Sequence, residues 1–82
     1  MFKVYGKPNC PYCTKATNEL YNKDKEYIYV DISANESARN YIKEELGAKT
    51  VPQIFDGHFL VGGFEDLVHY IDSNTQVDEM FD

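Results

Sequence analysis

Cys10 and Cys13 are the only cysteines of the chain, and they stand three positions apart around Pro11 and Tyr12. A pair so spaced could close a local disulfide, supply half of a tetrahedral metal site, or exchange electrons through its sulfurs. As a structural cross-link it is weak, because closing so short a loop removes little chain entropy. A zinc site would need two further ligands, and His58 and His69, eleven residues apart, match no common zinc-finger spacing. Redox exchange fits the residues better. At the start of a helix, positions i and i+3 share a face with Cβ atoms about 5–6 Å apart, within reach of a disulfide after small adjustment. The first of the two faces unpaired backbone N–H groups and the positive end of the helix dipole, which favour its thiolate. Cys10 is therefore the expected nucleophile, with Lys7 adding positive charge, and Cys13 the more sheltered resolving thiol.

This chemistry requires a strand that delivers the pair to a helix start. Residues 2–6, FKVYG, are β-branched and aromatic and stop at a glycine, as a first strand does. After the KPN loop, a helix is predicted with Cys10 near its N-cap, Pro11 at its first position, and Ala16 and Leu20 as its buried stripe. Residues 26–32, EYIYVDI, predict a second strand with Ile28, Val30 and Ile32 on one side and Tyr27 and Tyr29 on the other. A second helix, capped by Ser33 or Asn35 and closed by Gly47, would bury Ala38, Ile42 and Leu46. VPQIF and HFLVG flank Asp56-Gly57, a hairpin turn signal. Phe64, Leu67, Val68 and Ile71 then mark the clearest amphipathic helix of the chain. The order βαβ, α, ββα predicts an α/β fold. A right-handed crossover joins two parallel strands, the hairpin adds two antiparallel ones, and the four-stranded mixed sheet carries helices on both faces. The expected domain spans 1–73, and residues 74–82 form an acidic C-terminal tail with a frayed end.

Eighty-two residues suit one small domain. A net charge of −6 argues against nucleic acid, whose binding draws on phosphate neutralisation. The charge is uneven: Lys3, Lys7 and Lys15 gather near the cysteines, whereas Asp78, Glu79 and Asp82 crowd the tail. A mildly positive corner on an acidic body suits a small anionic substrate. No apolar run approaches the roughly 20 residues that span a bilayer, and no secretory leader is visible. The sparse cysteine usage points to a reducing compartment, so the expectation is a soluble cytoplasmic protein that binds no membrane.

Three separated stretches, CPYC at 10–13, TVPQIF at 50–55 and GGFEDL at 62–67, resemble the glutaredoxin family in order and separation, over about residues 1–73. The resemblance implies the thioredoxin-like fold and a dithiol enzyme that uses glutathione as co-substrate, with no tightly bound cofactor and no metal. Cys10 and Cys13 would be catalytic. TVP would place a cis Pro52 after Val51, turning the Val51 backbone toward the sulfurs, where an extended tripeptide can pair with it. Taken alone, the proline reads as a trans residue opening a strand. Thr50 would lie at the ligand's edge. In GGFEDL, Gly63 lets the backbone come close, the N–H groups of Glu65 and Asp66 would receive the γ-glutamyl carboxylate, and Asp66 would hold the adjacent ammonium. The family's pattern also implies Arg39, with Lys7 as second candidate and Lys49 as a weaker one, for the glycine carboxylate. By composition alone Arg39 is a solvated helix residue. Tyr12 would lie over the tripeptide, and Phe64, at a position variable in the family, would influence partner choice.

The implied reaction is reduction of protein disulfides and glutathione mixed disulfides by a monomer. Its partners would be glutathione and disulfide-bearing or glutathionylated proteins, ribonucleotide reductase among the candidates. Two other readings use the same thiols. One is a redoxin recycled by thioredoxin reductase that donates electrons to ribonucleotide reductase; the other is a glutathione-dependent [2Fe–2S] carrier, against which the CPYC sequence argues.

Overall fold

The computed structural model describes residues 1–80, with side chains for 1–73. The elements are β1 (Phe2–Gly6), α1 (Pro11–Asn22), β2 (Tyr27–Asp31), α2 (Glu36–Asn40) running into a π-helical turn (Tyr41–Glu45), β3 (Gln53–Asp56), β4 (Phe59–Gly62) and α3 (Phe64–Met80). The strands form a four-stranded sheet in the order β2-β1-β3-β4. β1 pairs with β2 in parallel, from Phe2 opposite Tyr27 to Gly6 opposite Asp31. It pairs antiparallel with β3, Val4 opposite Ile54, and β3 continues antiparallel into β4. The mixed sheet and its helices are those of the predicted α/β, thioredoxin-like fold.

One face of the sheet builds the main core. Phe2 and Val4 of β1 and Ile54 of β3 meet Ala16 and Leu20 of α1 and Leu67 and Ile71 of α3. The spacings that predict α1 and α3 are therefore the spacings that bury them. The opposite face carries the rings of Tyr5, Tyr41 and Phe55, whose centroids lie 5.8 to 6.3 Å apart. Ala38 and Ile42 are buried on the second helical stretch. Asn35 caps that stretch by accepting the Ala38 N–H at 3.0 Å.

One local reading is completed by the structure and one changes. The parallel register sets Tyr27 and Tyr29 opposite Phe2 and Val4, so the tyrosines share the face of the main core and Ile28 falls on the other. Tyr27 packs against that core, while Ile28 is 49% exposed. β2 is an edge strand of the sheet. The second helix is also not α-helical throughout: the Leu46 N–H donates to the Tyr41 carbonyl at 2.9 Å, five residues back. It still ends at Gly47, where the Ala48 N–H reaches the Ile42 carbonyl at 2.9 Å.

α3 continues beyond Ser73, where its apolar spacing stops. The expected frayed end of the 74–82 tail falls on residues 81 and 82, which lie outside the described residues. Among the described residues, no helix is long and apolar enough to cross a membrane.

Candidate active site

The loop from β1 enters α1 at Cys10, which is the N-cap residue with an extended backbone, and Pro11 opens the helix. Cys10 Sγ accepts the Cys13 N–H at 3.2 Å, filling the role that a serine or aspartate oxygen usually fills at this position. The Cys10 carbonyl takes the Thr14 N–H at 3.1 Å and the Thr14 hydroxyl at 3.4 Å. The Cys10 sulfur is thus seated where orphan N–H groups and the helix dipole converge, and both stabilise a negative charge there. Cys10 and Cys13 are joined as a disulfide with Cα atoms 5.2 Å apart. Cys10 is half-buried, whereas Cys13 is 2% exposed. An accessible sulfur and a sheltered one within bonding reach can alternate between dithiol and disulfide.

Across the site lies the Val51–Pro52 peptide, which is cis, as the TVP motif implies. Cys10 Sγ stands 4.0 Å from the Val51 carbonyl oxygen. Two grooves meet at Thr50 and Val51. The larger, about 810 Å³, is lined by Cys10 and by Lys7, Arg39, Lys43 and Lys49, with Ile32 and Ile42 among its apolar walls. Half of the chain's eight lysines and arginines line this one groove. Arg39 is steadied by donating from Nη1 to the Ile32 carbonyl at 3.1 Å. The smaller groove, about 380 Å³, runs from Tyr12 past Pro52 to Gly63, Phe64, Glu65 and Asp66 at the start of α3. Tyr12 is 55% exposed, with its ring 6.1 Å from that of Phe64 and the Lys15 ammonium 4.9 Å from its centroid. A cation over that ring favours one orientation of an otherwise exposed side chain.

Every residue named from the sequence for glutathione, from Lys7 to Asp66, lines one of these grooves. Asp66 also supports its own helix. Its Oδ2 accepts the Gly63 N–H at 3.0 Å, capping α3 from within. Gly62 makes this closure feasible, because its φ is +121° and a Cβ there would collide with the Asp66 carboxylate. Thr50 presents its carbonyl to the Gln53 side-chain amide at 2.9 Å. His58 and His69 take no part, and among the described residues no group of three or more His, Cys, Asp or Glu could hold a metal ion.

Sequence reasoning missed three contributors. Lys43 joins the groove from the π turn, where helical spacing had marked only its apolar neighbours. Gly6 ends β1 directly beside Cys13 and Tyr29, so close that a Cβ would lie 2.9 Å from Cys13 Sγ and collide with the Tyr29 hydroxyl. Tyr29 itself donates to the Lys7 carbonyl at 3.3 Å. Burial, and then the charge of Asp31, hold its pKa above the usual phenol value. Asp31 is held below the usual carboxylate range, chiefly by the Ser33 hydroxyl and then by the Ser33 N–H.

The glutaredoxin family model matches residues 2–60. Glutaredoxin-1 of Mus musculus is 41% identical over 71 residues, a match spanning 79% of this chain and 66% of that protein. Glutaredoxin 1 of Escherichia coli (strain K12) is 33% identical over 78 residues, spanning 87% of this chain and 92% of that protein. The solution structure of glutaredoxin from Brucella melitensis superposes with a TM-score of 0.73 at 35% identity, covering 96% of this chain and 85% of that one. With the paired sulfurs at a helix start and these matches along most of its length, the chain belongs to the glutaredoxin family of thiol–disulfide oxidoreductases.

Proposed function

We propose that the chain reduces glutathione mixed disulfides and protein disulfides, with glutathione as its reductant. One observation carries the reading: the accessible sulfur of Cys10 lies at the junction of a cation-lined groove and a helix N-terminus. Glutathione has a carboxylate at its glycine end and a carboxylate beside an ammonium at its γ-glutamyl end, so both ends need donors and the second also needs an anion. Arg39 and Lys7 would receive the glycine carboxylate, Arg39 in a two-pronged pairing. The N–H groups of Glu65 and Asp66 would take the other carboxylate, and the Asp66 side chain the ammonium. The Val51 backbone would pair with the extended peptide between them, while Tyr12 and Phe64 wall its outer side.

In the monothiol route, the Cys10 thiolate attacks the glutathione sulfur of a mixed disulfide. That S–S bond breaks, the substrate thiolate departs with its electron pair, and Cys10 is left glutathionylated. A second glutathione thiolate attacks the bound glutathione sulfur, yielding glutathione disulfide and restoring Cys10. With a protein disulfide, Cys10 attacks first and Cys13 displaces the substrate, producing the Cys10–Cys13 disulfide. Two glutathione molecules then reduce it. A nucleophile ionised near ambient pH sets the rate of each attack.

The test is turnover coupled to glutathione reductase with NADPH. Cys10→Ser should lose all turnover, and Cys13→Ser should keep deglutathionylation while losing the protein-disulfide route. Turnover by Cys10→Ser would overturn the mechanism. Reduction supported by thioredoxin reductase alone would move the chain to a different reductant.

A further inference from the structure

Cys13 carries a negative charge only in passing. When a thiolate attacks Cys10 Sγ in the oxidised protein, a new S–S bond forms there, the Cys10–Cys13 bond breaks, and its electron pair leaves on Cys13. In the reverse step, Cys13 returns that pair to Cys10 Sγ and expels the other thiolate. Either way the charge develops on a buried sulfur, and a buried charge without a partner is costly.

The surroundings of that sulfur are separate from the grooves beside Cys10. A hollow of about 240 Å³, sharing no lining residue with them, is bordered by Cys13, Thr14, Thr17, Tyr27 and Tyr29. It contains no lysine or arginine. The Thr17 hydroxyl donates along the helix to the Thr14 carbonyl at 3.0 Å, and the Thr14 hydroxyl, 3.4 Å from the Cys10 carbonyl, belongs to an exposed residue. The Tyr29 hydroxyl is placed differently. It and Cys13 Sγ both crowd the Cα of Gly6, where a Cβ would run into each of them. Its present bond, to the Lys7 carbonyl, is a long 3.3 Å, so releasing that bond costs little.

We propose that Tyr29 is a positioning residue for the resolving cysteine, its hydroxyl turning from the Lys7 carbonyl to donate a hydrogen bond to Cys13 Sγ whenever that sulfur becomes a thiolate. The hydroxyl is a donor here and not a base. Burial and the anionic Asp31 keep it protonated, so the proton that finally neutralises Cys13 comes from solvent. Gly6 is then required because any side chain would separate donor from sulfur. The role concerns the dithiol route alone, since the monothiol route never charges Cys13.

The test needs no glutathione, so it stands or falls separately from the proposed reductant. In a Cys10→Ser background, Cys13 is titrated through the pH dependence of its alkylation by iodoacetamide, with and without Tyr29→Phe. Losing the hydroxyl should raise the midpoint by about one pH unit, the worth of one hydrogen bond. Opening of the oxidised wild-type disulfide by dithiothreitol should slow roughly threefold in Tyr29→Phe, because the rate follows only part of a change in leaving-group acidity. In a Cys13→Ser background, the same substitution should leave the Cys10 midpoint in place. An unmoved Cys13 midpoint would overturn the proposal. An equal shift of both thiols would also overturn it, by showing that Tyr29 merely shapes the fold.

Discussion

Gly6 shows how little room the redox pair has. A methyl group there would sit 2.9 Å from Cys13 Sγ and collide with the Tyr29 hydroxyl. The hydroxyl belongs to a partly exposed side chain and can swing away, but the sulfur is tied to Cys10 and buried beneath α1. Gly6→Ala should therefore destabilise the oxidised protein by about 1–3 kcal/mol, the usual range for overpacking, as read from denaturant midpoints. Relief on reduction is expected, since an unbonded Cys13 can shift. Equal losses in the two redox states would mean that the strain is not against the sulfur. At this scale, the cysteines were legible because their spacing is local: a helix start alone defines which sulfur is exposed. Gly6 and Tyr29 were not, because they meet Cys13 only after β1 and β2 take their parallel register. Val51 reaches Cys10 across 41 residues of sequence, a contact that no periodicity encodes. It became readable only through family resemblance.

At the scale of elements, the two helix N-termini are built alike and used differently. At α1 the capping atom is the sulfur that reacts; at α3 it is a carboxylate reaching back from Asp66 to Gly63. Asp66 therefore has a structural role that is visible and a ligand-binding role that is proposed, and two substitutions separate them. In Asp66→Asn the amide oxygen can still accept the Gly63 N–H, so stability should stay within about 0.5 kcal/mol of wild type. The KM for a glutathione mixed disulfide should rise several-fold as the ammonium loses its counter-charge. Asp66→Ala removes both and should cost about 1 kcal/mol of stability as well. Thermal melts with steady-state kinetics on both variants would check this, and an unchanged KM in Asp66→Asn would remove Asp66 from the binding role. Most elements were legible for the same reason that they are stable. The apolar spacings of α1 and α3 are the contacts of the core, and Asn35 and Gly47 delimit the second helix. The exceptions follow from neighbours. Alternation in residues 26–32 separates two faces without saying which turns inward, and greasier Ile28 lost to Tyr27 because strand pairing, not hydropathy, chose the face. Likewise, the spacing of Ala38 and Ile42 fits an α or a π turn, and only the bond from Leu46 to Tyr41 decides.

For the molecule as a whole, ties far from the sulfurs hold the sheet to the last helix. The Tyr70 hydroxyl on α3 donates to Asp56 Oδ2 on β3 at 2.6 Å. The Tyr70 ring lies edge-on to Phe2 and stacks on Phe59, at centroid distances of 6.2 and 5.6 Å. One side chain thus joins α3 to three of the four strands. The hydrogen bond to Asp56, followed by burial and the Asp56 charge, raises the Tyr70 pKa above its usual value. A phenol that holds its proton more tightly when folded contributes stability that is fully present below the unfolded pKa, near ten. That contribution fades as pH climbs through the raised folded value. Tyr29, raised by burial, fades in the same window. Asp31 behaves oppositely: its lowered pKa adds stability at neutral pH that is lost as the solution becomes strongly acid. The protein should accordingly show a broad plateau of stability with separate acid and alkaline shoulders. In Tyr70→Phe, the deficit relative to wild type should be constant from pH 6 to about 9 and shrink above about 10, where the wild-type bond is itself titrated away. The ring contacts persist in that variant, so the difference reports the hydroxyl alone. Melting temperatures of the two proteins across that range decide the matter, and a deficit that stays constant through about pH 11 would show that the bond from Tyr70 to Asp56 contributes nothing to the alkaline shoulder.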